Sequence, residues 1–200
     1  IPKVLYFWRS HALSTASDIS AKPYAIEAGA KAIAAQLQRL GLPGTVAPQE
    51  DAPGSYRVTY ELTARPLVSV LIPNKDHTDD LRRCLDSLVQ KAGYENLELL
   101  VIENNSAQAE TFAFYEKELP HYPNCRLLTY KGPFNFSAIN NFAARAAKGE
   151  QLLLLNNDIE LLSDGFITEL LMYAQRPDVG AVGAKLYYPD DKIQHAGVFI

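Results

Sequence analysis

The sequence lacks the features that mark several large classes of protein. Only two of its 200 residues are cysteines, Cys84 and Cys125, and neither belongs to a paired-cysteine or Cys/His pattern. We therefore expect no disulfide framework and no zinc site, and two reduced, buried thiols fit a cytoplasmic protein. No apolar run approaches the roughly 20 residues that a membrane-spanning helix needs, and the N-terminus does not have the order of a secretory signal.

An excess of positive charge is also missing. The chain has 19 Lys and Arg residues against 23 Asp and Glu residues, and its formal net charge at pH 7 is −4. Its basic residues are scattered along the chain, so no stripe offers the positive field that a phosphate backbone requires. We therefore expect no nucleic acid among its partners.

The chain has enough apolar sequence for a core, with 48% hydrophobic and 21% charged residues. This composition predicts a soluble protein with one main domain and room for a second, smaller part. Because the chain opens on Ile1 and closes on the apolar run 197–200, we expect it to be a piece of a longer protein.

A domain boundary is predicted near Arg65-Pro66. Residues 1–65 form a small N-terminal appendage whose function the sequence does not reveal. Helical spacing of apolar residues predicts a helix at 24–40, which Gly41 can end, and a Pro/Gly-rich linker follows at 42–54. Alternation at 56–62 then predicts one short strand.

From residue 66 to 200, short apolar runs alternate with helical segments. The runs lie at 67–72, 97–102, 125–130 and 151–156. Such near-continuous apolar strands are typical of a parallel sheet that is covered on both faces. With right-handed crossovers, the β-α-β-α-β-α-β-α order predicts a Rossmann-like α/β domain, a mostly parallel sheet flanked by helices.

The helix after the first strand has the clearest pattern. Thr78 can cap its N-terminus, and Asp79 and Asp80 in the first turn suit the positive helix end. Its buried stripe is predicted to be Leu81, Cys84, Leu85, Leu88 and Val89. Further helices are predicted at 108–118, 137–147 and 165–175.

Polar loops follow three of the predicted strands, at 73–77, 103–106 and 156–158. Ligands of open parallel sheets bind beyond the carboxyl ends of the strands, and each of these loops carries an acid. None has the glycines that let a backbone cradle a phosphate. The charge of a nucleotide diphosphate would therefore be met by Lys75, by the helix that begins near Ser137, or by a divalent cation on Asp158.

Each of these residues also has an ordinary structural explanation. Asn and Asp are preferred in turns, so the sequence NND at 156–158 could be only a turn. Asp76 could lie in a solvated loop, Asn141 could be a buried amide bonded to backbone, and His195 could pack in a strand. What favours a functional site is that several of them occur at the one edge where this architecture binds ligands.

Three stretches in order carry a resemblance to a known family: PLVSVLIPNKDHTDDLRRCLDSL, LELLVIENNS and FNFSAINNFAARAAKGEQLLLLNNDIEL. Together they resemble the family 2 glycosyltransferases of the GT-A fold, from about Pro66 to the C-terminus. The segment at 5–25 also looks like the region that precedes such domains in bacterial polysaccharide and O-antigen glycosyltransferases, including rhamnosyltransferases.

The resemblance implies a binding site for a nucleotide sugar. Its residues are Pro73, Asn74, Asp76, Glu103, Asn104, Ser137, Asn141 and Asn157. Asp158, with Asn156, takes the place of the family's Asp-x-Asp metal motif and implies a divalent metal, Mn²⁺ or Mg²⁺. Three residues depart from the family pattern: Lys75 replaces a tyrosine, and Asn104 and Asn156 each replace an aspartate. These departures leave the base of the nucleotide open and predict weak, diphosphate-dependent metal affinity.

The implied function is transfer of a sugar, with inversion, from a UDP-, dTDP- or GDP-linked donor to a glycan or lipid-linked glycan acceptor. Bacterial surface polysaccharide synthesis is the expected setting, in the cytoplasm or at the periphery of the inner membrane, with any membrane association made by regions outside this chain. The catalytic base is expected downstream of residue 200, and Asp190, Asp191 and His195 are not nominated for that role.

Two other functions remain open at this point. One is a non-catalytic α/β module that binds nucleotides or assembles with a partner, in which the altered metal motif reflects lost chemistry. The other is a nucleotidyltransferase, although such enzymes normally have a glycine-rich, basic loop after the first strand, and PNKDHTDD is neither.

Overall fold

The computed structural model describes residues 2–7 and 23–197. Most of the N-terminal segment at 5–25 and the end of the apolar run at 197–200 lie outside these ranges. The chain divides into two compact units, residues 1–61 and residues 62–200. This division is close to the boundary that the sequence predicts at Arg65-Pro66.

The described part of the first unit contains a helix and a two-stranded antiparallel sheet. Its elements are α1 (Pro23–Leu40), β1 (Gly44–Pro48) and β2 (Tyr56–Tyr60). Gly41, with φ 65°, ends α1 in a Schellman arrangement: its N–H donates to Gln38 O and the N–H of Leu42 donates to Leu37 O. The predicted linker at 42–54 was partly wrong, because β1 lies within it.

The second unit has four parallel strands with helices between them. Its elements are β3 (Val68–Asn74), α2 (Thr78–Lys91), β4 (Leu97–Glu103), α3 (Ala109–Lys117), a 3-10 turn (Leu119–His121), β5 (Cys125–Thr129), α4 (Phe136–Ala146), β6 (Gln151–Leu154), α5 (Phe166–Ala174), β7 (Leu186–Tyr187) and β8 (Ile193–His195). β7 and β8 form a separate antiparallel hairpin, and a turn at 189–191 connects them.

The four-stranded sheet has the order β5-β4-β3-β6, and every pair in it is parallel. The chain first builds outward from β3 to β5 and then returns to place β6 on the other side of β3. Buried residues of α2 and α3 cover one face, and Ile139 and Ala143 of α4 cover the other. This confirms the predicted α/β sheet flanked by helices on both faces. It also places the reversal of strand order between β3 and β6.

Helix α2 follows its predicted pattern except at two places. The N-cap is His77 in a left-handed conformation, and Thr78 is already inside the helix, where its hydroxyl shares a hydrogen bond with that of Thr111. The predicted Thr78 cap was therefore wrong. Val89 was wrongly placed in the buried stripe, since 49% of it is exposed, whereas the other four members of the stripe are buried.

A buried carboxylate ties the sheet together at the amino ends of its strands. Glu98 of β4 accepts hydrogen bonds from the Ser69 hydroxyl of β3, from the backbone N–H of Lys148 and from the Arg126 guanidinium of β5. Burial alone would raise the pKa of Glu98, but these three donors outweigh it and hold the pKa below its ordinary value. The ionised carboxylate therefore stabilises the fold.

Replacing Glu98 with Gln should destabilise the protein in a pH-dependent way. The folded-state pKa is lowered, so the stabilisation is complete above the unfolded pKa of about 4.3 and is lost as the pH falls through the folded value. We expect Glu98→Gln to cost about 1–3 kcal/mol at pH 7 and less below about pH 4. Urea unfolding at several pH values measures this, with the exposed Glu95→Gln as control. A cost independent of pH would contradict the assignment.

Gly149 closes the same polar cluster, because its N–H donates to the Ser69 hydroxyl. A methyl group at this position would lie 2.5 Å from Ser69 Oγ and 2.6 Å from Leu67 O. Since backbone cannot easily move away, Gly149→Ala should cost about 1–3 kcal/mol of unfolding free energy. Gly180→Ala is the matched control, since no described atom lies within 4 Å of its added methyl group. Equal midpoints for both variants in thermal unfolding would refute this packing argument.

Candidate active site

The polar loops predicted from the sequence meet at one edge of the sheet. They follow β3, β4 and β6, whose carboxyl ends lie side by side because the strands are parallel neighbours. Asn74 ends β3, Glu103 ends β4, and Asn157 lies three residues beyond the end of β6. The loops after β3 and β6 flank the reversal of strand order, which is where open α/β sheets bind ligands.

The Asn74 side chain connects these loops. Its Nδ2 donates to the hydroxyl of Tyr115 at 2.7 Å and to Asp76 O at 3.1 Å. Its Oδ1 accepts from Nδ2 of Asn157 at 2.6 Å. Because Asn74 is buried, these bonds form in a medium where each is strong and where a lost partner is costly. The loops after β3 and β6 are thereby held in one arrangement.

Glu103 is bonded to its own loop and to α3. Its carboxylate accepts from the N–H and hydroxyl of Ser106, both at 2.6 Å, and from the hydroxyl of Tyr115 at 2.8 Å. The Ser106 hydroxyl also accepts from the N–H of Asp76. The buried Glu103 therefore orders the loop after β4 and links it to the loop after β3.

Asp76 caps helix α3. Its Oδ1 accepts from the N–H groups of Ala107 and Gln108, both at 2.9 Å, immediately before the first residue of the helix. These bonds, the one from Gln108 first, hold the pKa of Asp76 below its ordinary value. Asp76 and His77 both have positive φ, which turns the chain sharply between β3 and α2. One carboxylate oxygen of Asp76 is thus committed to structure.

The two polar atoms of the Asn104 side chain have different surroundings. Its Nδ2 donates to the carbonyl oxygens of Tyr130 and Gly132, in the loop between β5 and α4. Its Oδ1 is buried and has no hydrogen-bond partner among the described residues. A buried, unpartnered acceptor costs about 1–3 kcal/mol, so a donor supplied by a ligand would offset this cost.

The loop after β6 presents Asp158 to solvent. Asn156 and Asp158 are exposed and Asn157 is half-buried, while the Asn156 carbonyl accepts from the thiol of Cys84. Burial, with a smaller effect of the Asp158 carboxylate, raises the pKa of that thiol to about 12. Within the described residues, no three His, Cys, Asp or Glu side chains form a group that could hold a metal ion.

Two predicted residues on α4 stand apart from this network. Ser137 and Asn141 are both exposed, and no hydrogen bond in the described part of the chain joins them to Asn74 or Glu103. The buried amide on this helix is Asn140, whose Nδ2 donates to Phe136 O and whose Oδ1 has no partner among described residues. The sequence analysis did not select Asn140.

Tyr115 was also missed, although it bonds two of the predicted residues. Buried tyrosines usually need a hydrogen-bond partner. The position of Tyr115 on the inner face of a helix could therefore have predicted that its hydroxyl bonds a neighbouring polar side chain. Tyr115 and Glu103 also contribute to a cavity of about 550 Å³ between α3 and the edge strand β5. Its other walls are Asn105, Ser106, Phe112, Glu116, Leu127, Thr129, Tyr130 and Lys131.

A parallel sheet with helices on both faces and polar loops at the carboxyl ends of its strands is the GT-A arrangement. A mannosyltransferase from Pyrobaculum calidifontis, solved in complex with GDP-Man and Mn²⁺, shares the fold, with a TM-score of 0.56 and 22% identity. The similarity covers 86% of this chain and 47% of that one. Residues 69–197 match the family described as Glycosyl transferase family 2. The chain belongs to this family.

Two curated relatives are similar along the whole chain. It is 42% identical over 200 residues to the O-antigen biosynthesis protein RfbC of Myxococcus xanthus and 42% identical over 203 residues to an uncharacterised protein of Sinorhizobium fredii. The chain spans only 15% of the first and 22% of the second. No helix in the described part of the chain is both long and apolar enough to cross a bilayer.

The two amide-to-backbone bonds of Asn104 predict that aspartate is a poor replacement here. Asn104→Asp removes both donors and places a carboxylate against two carbonyl oxygens, which raises the pKa of the introduced group. We expect a loss of about 2–4 kcal/mol at pH 7 and a smaller loss near pH 4, where that group is protonated. Chemical denaturation measures it, with the exposed Asn141→Asp as control. An equal loss in both variants would contradict the role of the two bonds from Asn104.

Proposed function

We propose that residues 66–200 form the nucleotide-sugar-binding part of an inverting glycosyltransferase that builds a bacterial surface polysaccharide. Membership of glycosyl transferase family 2 supports the reaction class, and similarity to an O-antigen biosynthesis protein supports the setting. The observation that carries the proposal is the hydrogen bond from Asn157 to Asn74. It holds the loop that bears Asp158 beside the end of β3, at the reversal of strand order.

Asn104 is proposed to recognise the nucleoside. Its unpartnered Oδ1 is an acceptor in a buried position, and the ring N–H of uracil, thymine or guanine is a donor of matching chemistry. Pro73 and Asn74 end β3 beside it, and Asp76 keeps the following turn in place. The donor is therefore a UDP-, dTDP- or GDP-linked sugar.

Asp158, with Asn156, is proposed to hold Mn²⁺ or Mg²⁺ together with the diphosphate. Both side chains are exposed and offer oxygen atoms, the ligands that these cations prefer. Within the described residues, Asp158 has no ion-pair partner that would compete. A site with one carboxylate fits a cation that is bound mainly through substrate phosphates. When bound, such a cation stabilises the negative charge of the departing diphosphate.

The protein's other residues would orient the two substrates. The acceptor hydroxyl attacks the anomeric carbon from the side opposite the diphosphate, so the new glycosidic bond forms as the bond to the diphosphate breaks, with inversion. Ser137, in the first turn of α4, and Asn141, one turn later, are both exposed and are proposed to contact the donor. The acceptor is proposed to be a glycan or a lipid-linked glycan, whose hydroxyl proton passes to a base.

Calorimetry tests the cation-dependent binding directly. UDP, dTDP and GDP are titrated into the chain with and without Mn²⁺, and at least one should bind more tightly with the cation. Asp158→Asn should reduce that gain to less than twofold, because the only carboxylate assigned to the cation is gone. Thermal unfolding should stay near that of the unaltered chain, since Asp158 is exposed.

Asp164→Asn is the matched control. It makes the same chemical change at an exposed aspartate further along the same connection, outside the segment 156–158, and should keep the effect of Mn²⁺. If none of the three nucleotides binds more tightly with Mn²⁺, the proposal fails and the non-catalytic module becomes the better hypothesis. Equal losses in the two variants would remove the specific role of Asp158.

A further inference from the structure

The buried hydroxyl of Tyr115 lies at the centre of the hydrogen bonds that join the loops. It accepts from Asn74 Nδ2 at 2.7 Å and donates to Glu103 Oε2 at 2.8 Å. Tyr115 comes from α3 and is only 7% exposed. Burial raises the pKa of Tyr115, so at neutral pH the hydroxyl keeps the proton that it donates.

The direction of these bonds is fixed by the carboxylate at one end. Glu103 can only accept, so the Tyr115 hydroxyl donates to it and must accept from Asn74. Asn74 therefore turns its Nδ2 toward Tyr115 and Asp76 O, and its Oδ1 toward Nδ2 of Asn157. Donors and acceptors thus alternate from Asn157 through Asn74 and Tyr115 to Glu103.

Loss of the hydroxyl would remove one of the two acceptors that fix this orientation and leave only Asp76 O. Without it, one N–H of Asn74 has no acceptor in a buried position, which is costly. A flipped Asn74 amide would face Asn157 with a donor instead of an acceptor, and two donors repel. The half-buried Asn157 would then lose its anchor, and with it the loop that carries Asp158 would lose its fixed position.

We propose that Tyr115 is a positioning residue for donor binding: its hydroxyl orients the amide of Asn74, which anchors Asn157 and so sets the place of Asp158. This inference rests on the proposed function for its consequence on donor binding. The geometric part, from Tyr115 to Asn157, rests on the hydrogen bonds alone.

A purely structural role for Tyr115 predicts something different. The ring belongs to the buried core cluster and makes edge contacts with Phe112 and Phe114. Tyr115→Phe keeps the ring and removes only the hydroxyl. Tyr122→Phe is the matched control, since the Tyr122 hydroxyl donates to a carboxylate, that of Asp86, at 2.7 Å, and the ring packs against the same core cluster.

The first measurement uses the metal-free chain. Side-chain amide resonances of Asn74 and Asn157 are recorded by ¹⁵N NMR in the unaltered chain and in both variants. Tyr115→Phe should shift the resonances of both amides and speed the hydrogen exchange of the Asn157 amide, whereas Tyr122→Phe should leave them in place. Unchanged Asn157 resonances in a folded Tyr115→Phe protein overturn the positioning role, whatever the protein binds.

The second measurement is binding of UDP, dTDP and GDP with Mn²⁺. For the nucleotide that binds, Tyr115→Phe should weaken affinity roughly three- to tenfold, the effect of one hydrogen bond, and Tyr122→Phe less than twofold. Equal losses in both variants, or no loss in Tyr115→Phe, overturn the inference. If no nucleotide binds the unaltered chain, the proposed function fails, and the NMR result still decides the geometric part.

A double-mutant cycle gives an independent check. Asn157→Ala cuts the same series of bonds at its partly exposed end, so the effect of Tyr115→Phe on affinity should shrink to less than twofold when Asn157 is already replaced. Tyr122→Phe with Asn157→Ala should instead be additive. Additivity of Tyr115→Phe with Asn157→Ala would show that the hydroxyl does not act through Asn157.

Discussion

The hydrogen bonds of the buried Asn74 amide are the interactions on which the proposed ligand-binding edge of the sheet depends. Strand β3 has β4 on one side and β6 on the other, so the residue at its end is the one that can reach both neighbouring loops. Polar groups at this depth must find partners within the protein, and every polar atom of the Asn74 side chain has one. One side chain therefore fixes the two sides of the point where the strand order reverses.

The sequence predicted β3 and β4 well because strands buried on both faces need long apolar runs. β5 and β6 were also found from apolar runs, although they are edge strands in which Leu127, Leu152 and Leu154 are exposed. β1 was missed because a two-stranded ribbon buries little and contains Gly44 and Pro48. The Thr78 cap failed for a nonlocal reason. Asp76 and His77 adopt positive φ, and the Asp76 side chain is held by the start of α3, about 30 residues away in sequence.

At the carboxyl edge of the sheet, the sequence predicted which loops meet but not which of their side chains bond to each other. Parallel strands end together, so the loops after β3, β4 and β6 could be placed at one edge. The contact of Glu103 with the nucleotide stays a prediction, but its bonds to Ser106 and Tyr115 could not be read from the sequence, because a buried carboxylate takes the nearest donors. On α4, a shift of one residue turns a side chain by about 100°, which separates the buried Asn140 from the exposed Asn141.

The bonds from Asn104 to Tyr130 and Gly132 explain why an amide fits where the family pattern has an aspartate. Where no backbone cradle exists, the precision of a binding site must come from side chains held by other side chains. The two polar atoms of the Asn104 side chain differ: Nδ2 holds the loop between β5 and α4, and Oδ1 has no partner among the described residues. An aspartate would supply the acceptor but neither of the two bonds to Tyr130 and Gly132. In this chain the amide is therefore the residue that fits, since the loop it holds forms part of the same edge.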